Sequence, residues 1–151
     1  MKASDYSLKT QISFEAAHRL YNVNTYSEEC RNNIHGHSYK VTVVVKPSES
    51  LNLAGMVIDF KQLKEILRNS IESKYDHSCI LHESDPLVSA IVSNCKKVHV
   101  VKSNPTAEWM AREFYCELGD ALERAGVRGV YVSRVEVQET ENNIAIYERG
   151  W

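Results

Sequence analysis

A chain of 151 residues with 43% hydrophobic and 25% charged side chains is long enough to bury one core and has ordinary globular composition. A formal net charge of −2 excludes the global basic field that binds DNA, RNA or an anionic membrane by charge alone. No apolar run nears the ~20 residues that span a bilayer, and MKASDYSLKTQ lacks the apolar stretch of a secretory signal, so the expected location is the cytoplasm.

From Leu8 to His18, apolar Leu8, Ile12, Phe14 and Ala16 alternate with Lys9, Gln11, Ser13 and Glu15, which predicts a half-buried strand. After a loop rich in Asn, Ser and Glu, alternation resumes from His37 through Tyr39, Val41, Val43 and Val45, and Pro47 ends it. Asp59 can cap a helix with Phe60, Leu63, Leu67 and Ile71 on one face. Tyr75 to Lys102 reads as irregular, with KKVHVV a short extended piece. A second helix starts at NPTAEW, with Pro105 in its first turn, Thr106 or Asn104 as cap, and Gly126 as its stop. Its predicted apolar face is Met110, Phe114, Leu118, Ala121 and Ala125. Val130–Thr140 and Ile144–Arg149 form a hairpin around ETENN.

No repeat, low-complexity tract or linker divides the chain, so residues 1–151 read as a single domain. The order ββααββ predicts an α+β fold, a four-stranded antiparallel sheet with two helices on one face. Its open edges favour association between copies.

Residues i and i+2 of a strand share a face, so His35 and His37 point the same way. His18 ends the preceding strand on the face of Phe14 and Ala16. Antiparallel pairing brings that end to the start of the next strand, where the three imidazoles converge. Three neutral histidines with an open fourth position suit catalytic zinc, and Gly36 is read as leaving room between two of them. A cupin-like barrel also uses HxH, but Lys40, Val41 and Thr42 stand where it needs a glutamate.

The four cysteines, Cys30, Cys79, Cys95 and Cys116, match no disulfide or CxxC pattern and read as free thiols. Cys30 lies in the loop crossing the metal site, where a nearby cation favours the reactive thiolate. Asp76 beside His77 in YDHSCIL can orient that histidine as a base.

Six segments, FEAAHRL, CRNNIHGHSYKV, GMVIDFKQLK, YDHSCIL, NPTAEWMA and VQETENNIAIYE, run in order from Phe14 to Glu148. Together they resemble the 6-pyruvoyl-tetrahydropterin synthase / 6-carboxy-tetrahydropterin synthase family. The resemblance implies a tunnelling fold (T-fold), in which trimers close their sheets into a barrel and often stack into hexamers. It implies Zn2+ on His18, His35 and His37, with Cys30, Asp76 and His77 as the proton-transfer set. It also implies that Glu139 anchors a pterin ring, with Thr106 and Glu108 beside it; helix capping is the competing reading of these two.

The implied substrate is 7,8-dihydroneopterin triphosphate, with zinc as Lewis acid and template and Arg19 and Arg31 as candidates to hold the triphosphate. In the family, three residues separate the cysteine from HGH on the queuosine branch and five on the pyruvoyl branch; here there are four. The expected reaction is formation of 6-carboxy-5,6,7,8-tetrahydropterin by a zinc-dependent lyase. The alternatives are 6-pyruvoyl-tetrahydropterin synthesis or, with Glu29, side-chain cleavage to a 6-hydroxymethyl-dihydropterin. A non-enzymatic module with structural zinc closed by Cys30 is a further alternative, which has no need of Glu139, Asp76 and His77.

Overall fold

The computed structural model describes residues 5–149. In chain order the elements are β1 (Leu8–His18), α1 (Glu28–Asn32), β2 (His35–Pro47) and α2 (Phe60–Leu67). A π-helical turn (Arg68–Glu72) and α3 (Ser73–Tyr75) extend α2, followed by β3 (Ser78–His82), α4 (Val88–Asn94) and β4 (Val98–Val101). The long helix α5 (Ala107–Arg124) and the hairpin β5 (Val130–Thr140) and β6 (Asn143–Glu148) complete the fold.

The predicted strands are present, and β1, β2, β5 and β6 pair antiparallel in succession. The sheet nevertheless has six strands, in the order β4-β3-β1-β2-β5-β6, rather than the four expected. Both additions come from the segment read as irregular. They run parallel, β3 against β1 and β4 against β3, with α4 as the crossover that parallel strands require. β3 has five residues and β4 four, too short to display a period-2 pattern.

One sheet face carries the core. Phe14, Tyr39, Val41 and Val43 pack with Leu63, Leu67 and Ile71 from the first helical segment and Met110, Phe114 and Leu118 from α5. Each such side chain contributes about 1.5–3 kcal/mol by leaving water. Phe14 stacks on Tyr39 with centroids 5.2 Å apart and meets Phe114 edge-on at 6.0 Å.

The helix ends follow their sequence signals with local corrections. Asp59 accepts from the Lys61 and Gln62 amides, but Phe60 at the helix start stays 60% exposed. Thr106 Oγ1 accepts from the Trp109 amide at 3.1 Å, so Pro105 precedes the cap instead of occupying the first turn. At the other end Gly126 has φ +71°, and the amides of Gly126 and Val127 return to the carbonyls of Glu123 and Leu122. Ala125, predicted on the apolar face, is the exposed C-cap. Among the described residues no helix is long and apolar enough to cross a membrane.

Candidate metal centre and active site

The β1–β2 register sets His18 opposite His35 and Ala16 opposite His37 on the face that holds the core. The three rings meet edge-on, with centroids 4.6 Å (His18–His35), 5.1 Å (His18–His37) and 5.0 Å (His35–His37) apart. A fourth group joins them from β5. Gln138 pairs with Ile144 and Thr140 with Asn143, which leaves Glu139 as the extra residue of a bulge. Bulges re-aim side chains, and this one carries a carboxylate to the histidines. Glu139 Oε1 lies 3.1 Å from His18 Nε2 and 3.0 Å from His37 Nε2.

The hydrogen bonds behind the rings fix which nitrogen faces the centre. His18 Nδ1 donates to the Pro105 carbonyl at 2.7 Å, and His35 Nδ1 to the Asn33 carbonyl at 3.0 Å. In neutral imidazoles both Nε2 atoms are then acceptors, yet they face each other at 3.0 Å. His37 Nε2 is buried without a hydrogen-bond partner despite its closeness to Glu139. Nitrogen lone pairs and a carboxylate oxygen therefore point at one another, and positive charge must lie among them.

A proton on His18 is one such charge, and its hydrogen bond is the chief reason the Glu139 carboxyl lies below its usual range. Burial, reinforced by His18 and His35 and opposed by Glu139, holds His37 below its ordinary value and disfavours a proton there. A divalent cation satisfies all four donors together, since His18, His35, His37 and Glu139 each place one ligand atom within 4.8 Å of the others. The donor set suits zinc.

Tyr39 lies beneath the cluster, its ring centroid 5.4 Å from that of His37. Burial, and secondarily the Glu139 charge, push its phenol far above the ordinary range, so it stays neutral. Gly36 corrects another expectation. Alternation turns it to the opposite face from His35 and His37, so it does not separate the ligands. A Cβ there would lie 3.4 Å from the Ala16 carbonyl oxygen.

Asp76 and His77 form a second group. The Glu15 amide donates to Asp76 Oδ1 at 2.9 Å, and the His77 amide donates to the Glu15 carbonyl at 2.7 Å. His77 adopts φ +60°, a left-handed conformation uncommon outside glycine. Its Nδ1 meets Asp76 Oδ2 at 2.8 Å while its side chain is 81% exposed. The Glu15 amide, followed by the His77 contact, holds the Asp76 carboxyl below the usual range against slight desolvation. His77 lines an open depression of about 320 Å3 with Glu15, Ala17, Gly36 and Ser38, whose alternation turns them away from the metal cluster, and its rim includes Ala16, His37 and Ser78. Lys97, which no sequence signal marked, donates to the carbonyls of Ser73 (2.9 Å) and Asp76 (2.7 Å) and fixes this corner.

Cys30 is half-buried in α1, tied to the segment just after β1 by the Leu20 amide on its carbonyl, and is not one of the four converging donors. Glu29 is exposed and accepts from Ser27 Oγ at 2.8 Å. Thr106 is engaged as the α5 cap, and Glu108 is exposed in the first turn of that helix. Arg19 and Arg31 line an open cleft of about 750 Å3 with Asn22, Asn24 and Asn32. Arg19 holds the buried Asp85 through Nε (2.8 Å) and Nη2, and Arg31 meets Glu28 at 2.9 Å. Asn104, considered as a cap, instead clamps Tyr21, accepting from its amide at 2.7 Å and donating to its carbonyl at 3.0 Å.

A mixed sheet backed by helices, bearing a His3Glu cluster where two central strands meet, defines an α+β protein with a group of donors that could hold a metal ion. The sequence pattern of the 6-pyruvoyl tetrahydropterin synthase family matches residues 7–150, and the chain belongs to this family. A 6-carboxy-5,6,7,8-tetrahydropterin synthase of Aquifex aeolicus is 34% identical over 95% of this chain and 98% of its own. A 6-pyruvoyl tetrahydrobiopterin synthase of Homo sapiens is 33% identical over 91% of this chain and 88% of its own. Among solved structures, the 6-pyruvoyl tetrahydropterin synthase of Caenorhabditis elegans matches with a TM-score of 0.69 at 25% identity, over 96% of each chain. An uncharacterized Wolinella succinogenes protein reaches 0.79 at 25% identity, over 96% of this chain and 98% of its own.

Proposed function

We propose that this chain is a zinc-dependent lyase that converts 7,8-dihydroneopterin triphosphate to 6-carboxy-5,6,7,8-tetrahydropterin on the route to 7-deazapurines such as queuosine. The observation that carries the reading is the convergence of three imidazoles, two of them oriented by backbone carbonyls, with the Glu139 carboxylate on one point of a pterin-synthase fold. The relatives named for the carboxy product, including one from Rickettsia felis at 31% identity over 87% of this chain, favour that branch.

His18, His35 and His37 would hold the zinc. It would supply Lewis acidity and a template for the hydroxyls of the substrate side chain. Asp76 fixes the His77 ring through Nδ1 and leaves Nε2 to accept a proton, while Cys30 serves as the second proton carrier. The Glu139 carboxylate accepts two parallel hydrogen bonds from the amino-pyrimidinone edge of the pterin, with Thr106 and Glu108 beside it. Arg31 faces the cleft where a triphosphate can lie; Arg19 is already committed to Asp85.

Glu15, Ala17, Gly36 and Ser38 beside His77 alternate away from the metal cluster, which supports a substrate site completed by a second copy of the chain. The enzyme is therefore read as a cytoplasmic homo-oligomer, a trimer or hexamer. A structural-zinc module closed by Cys30 is the weaker reading, since Cys30 is outside the donor group. The test is mass spectrometry of the product after zinc-loaded protein meets 7,8-dihydroneopterin triphosphate. A carboxy-pterin mass is expected; a pyruvoyl- or hydroxymethyl-pterin mass reassigns the branch, and unchanged substrate overturns the reading.

A further inference from the structure

We infer that Glu139 is a fourth, exchangeable metal ligand that closes the centre in the substrate-free protein. The inference rests on the metal centre proposed above and assigns Glu139 a resting duty besides holding substrate. Three features of the site carry it. First, Oε1 lies 3.0–3.1 Å from two nitrogens, His18 Nε2 and His37 Nε2, rather than beside one donor. Second, the tautomer fixed by Pro105 makes neutral His18 Nε2 an acceptor, so the carboxylate faces a lone pair there unless a cation stands among them. Third, Glu139 occupies a bulge, where the strand ladder is locally interrupted and the side chain is re-aimed, whereas His35 and His37 sit in regular register with β1.

The consequence is a site that changes its openness. With Glu139 bound the centre has three nitrogens and one oxygen, the closed pattern of a four-coordinate site. A substrate oxygen competing for the ion would release the Glu139 carboxylate from it. The freed carboxylate then becomes available to the ring of the same substrate. Small anions that compete for an open position are excluded until then.

Cobalt-substituted protein tests this, with azide as the probe of an open position and optical absorption as the readout. Azide should shift the spectrum of Glu139→Ala at concentrations at least about tenfold below those needed for the unsubstituted protein. Glu139→Ala should also lose cobalt to a chelator at least about tenfold faster, the lower end of what perturbing a ligand shell does to metal affinity. Glu139→Gln, which keeps the side-chain volume, serves as the second variant and should fall between the two. Equal azide binding by all three proteins overturns the inference while leaving the metal centre and the lyase reading intact. An azide-resistant cobalt site in protein that does not turn over dihydroneopterin triphosphate supports the inference and overturns the lyase reading. Failure of cobalt to bind the unsubstituted protein overturns both.

Discussion

The histidine cluster and the Asp76–His77 corner lie a few residues apart across the same strands, yet they are built in opposite ways. His18 is 2% exposed and its ring is fixed from behind by a carbonyl; His77 has an 81% exposed side chain, and what is fixed is its backbone. The first region supplies its own partners within one chain. The second holds a carboxylate–imidazole pair in register and leaves one ring nitrogen to whatever arrives. A binding centre gains from rigidity on all sides, whereas a proton-transfer pair needs one open side.

Breaking the cluster should have the largest effect. His35→Ala is expected to reduce zinc affinity by about 100-fold or more while preserving the fold, read by metal content and circular dichroism. Stoichiometric zinc in that variant would show that the cluster is not the metal centre. Asp76→Asn probes the other region: turnover should drop by about 10²–10⁴ with zinc content unchanged.

The same variant has a pH signature. The Asp76 carboxyl is lowered in the folded chain, so its stabilising contribution is fully present above the ordinary carboxylate range and fades as pH falls through the folded-state value. The gap in urea midpoint between the unsubstituted protein and Asp76→Asn should therefore narrow from pH 7 to pH 2.5.

Arg19→Gln sharpens the border between the two regions. It leaves the fully buried Asp85 carboxylate unpaired and should cost about 3–5 kcal/mol in chemical denaturation. A raised KM with unchanged stability would instead make Arg19 a substrate ligand. Thr106→Ala removes one cap hydrogen bond and should cost about 1 kcal/mol. Tyr39→Phe is expected to change stability by less than about 1 kcal/mol, because its buried hydroxyl has no hydrogen-bond partner among the described residues.

Much of the antiparallel framework was legible because period-2 alternation in long strands reports burial directly, and the His18–His35–His37 convergence followed from pairing two of them. β3 was not, since a short parallel strand such as SCILH carries no alternation, while β4 showed only as the short extended piece in KKVHVV, with no signal for its pairing. The approach of Glu139 to the histidines depends on a one-residue bulge, which the ETENN turn chemistry does not encode. The turn that presents His77 takes a left-handed backbone at a histidine, where a glycine would have been the readable signal. The clamps made by Asn104 and Lys97 join segments distant in sequence, so no local pattern announces them.

The carbonyls of Pro105 and Asn33 that orient His18 and His35 belong to the main chain. No side-chain replacement can delete them, and a mutational scan of the neighbourhood should show tolerance at both positions so long as the backbone path is kept. The histidine tautomers are thus inherited from the fold itself, which lets the surrounding side chains diversify among relatives without retuning the ligands.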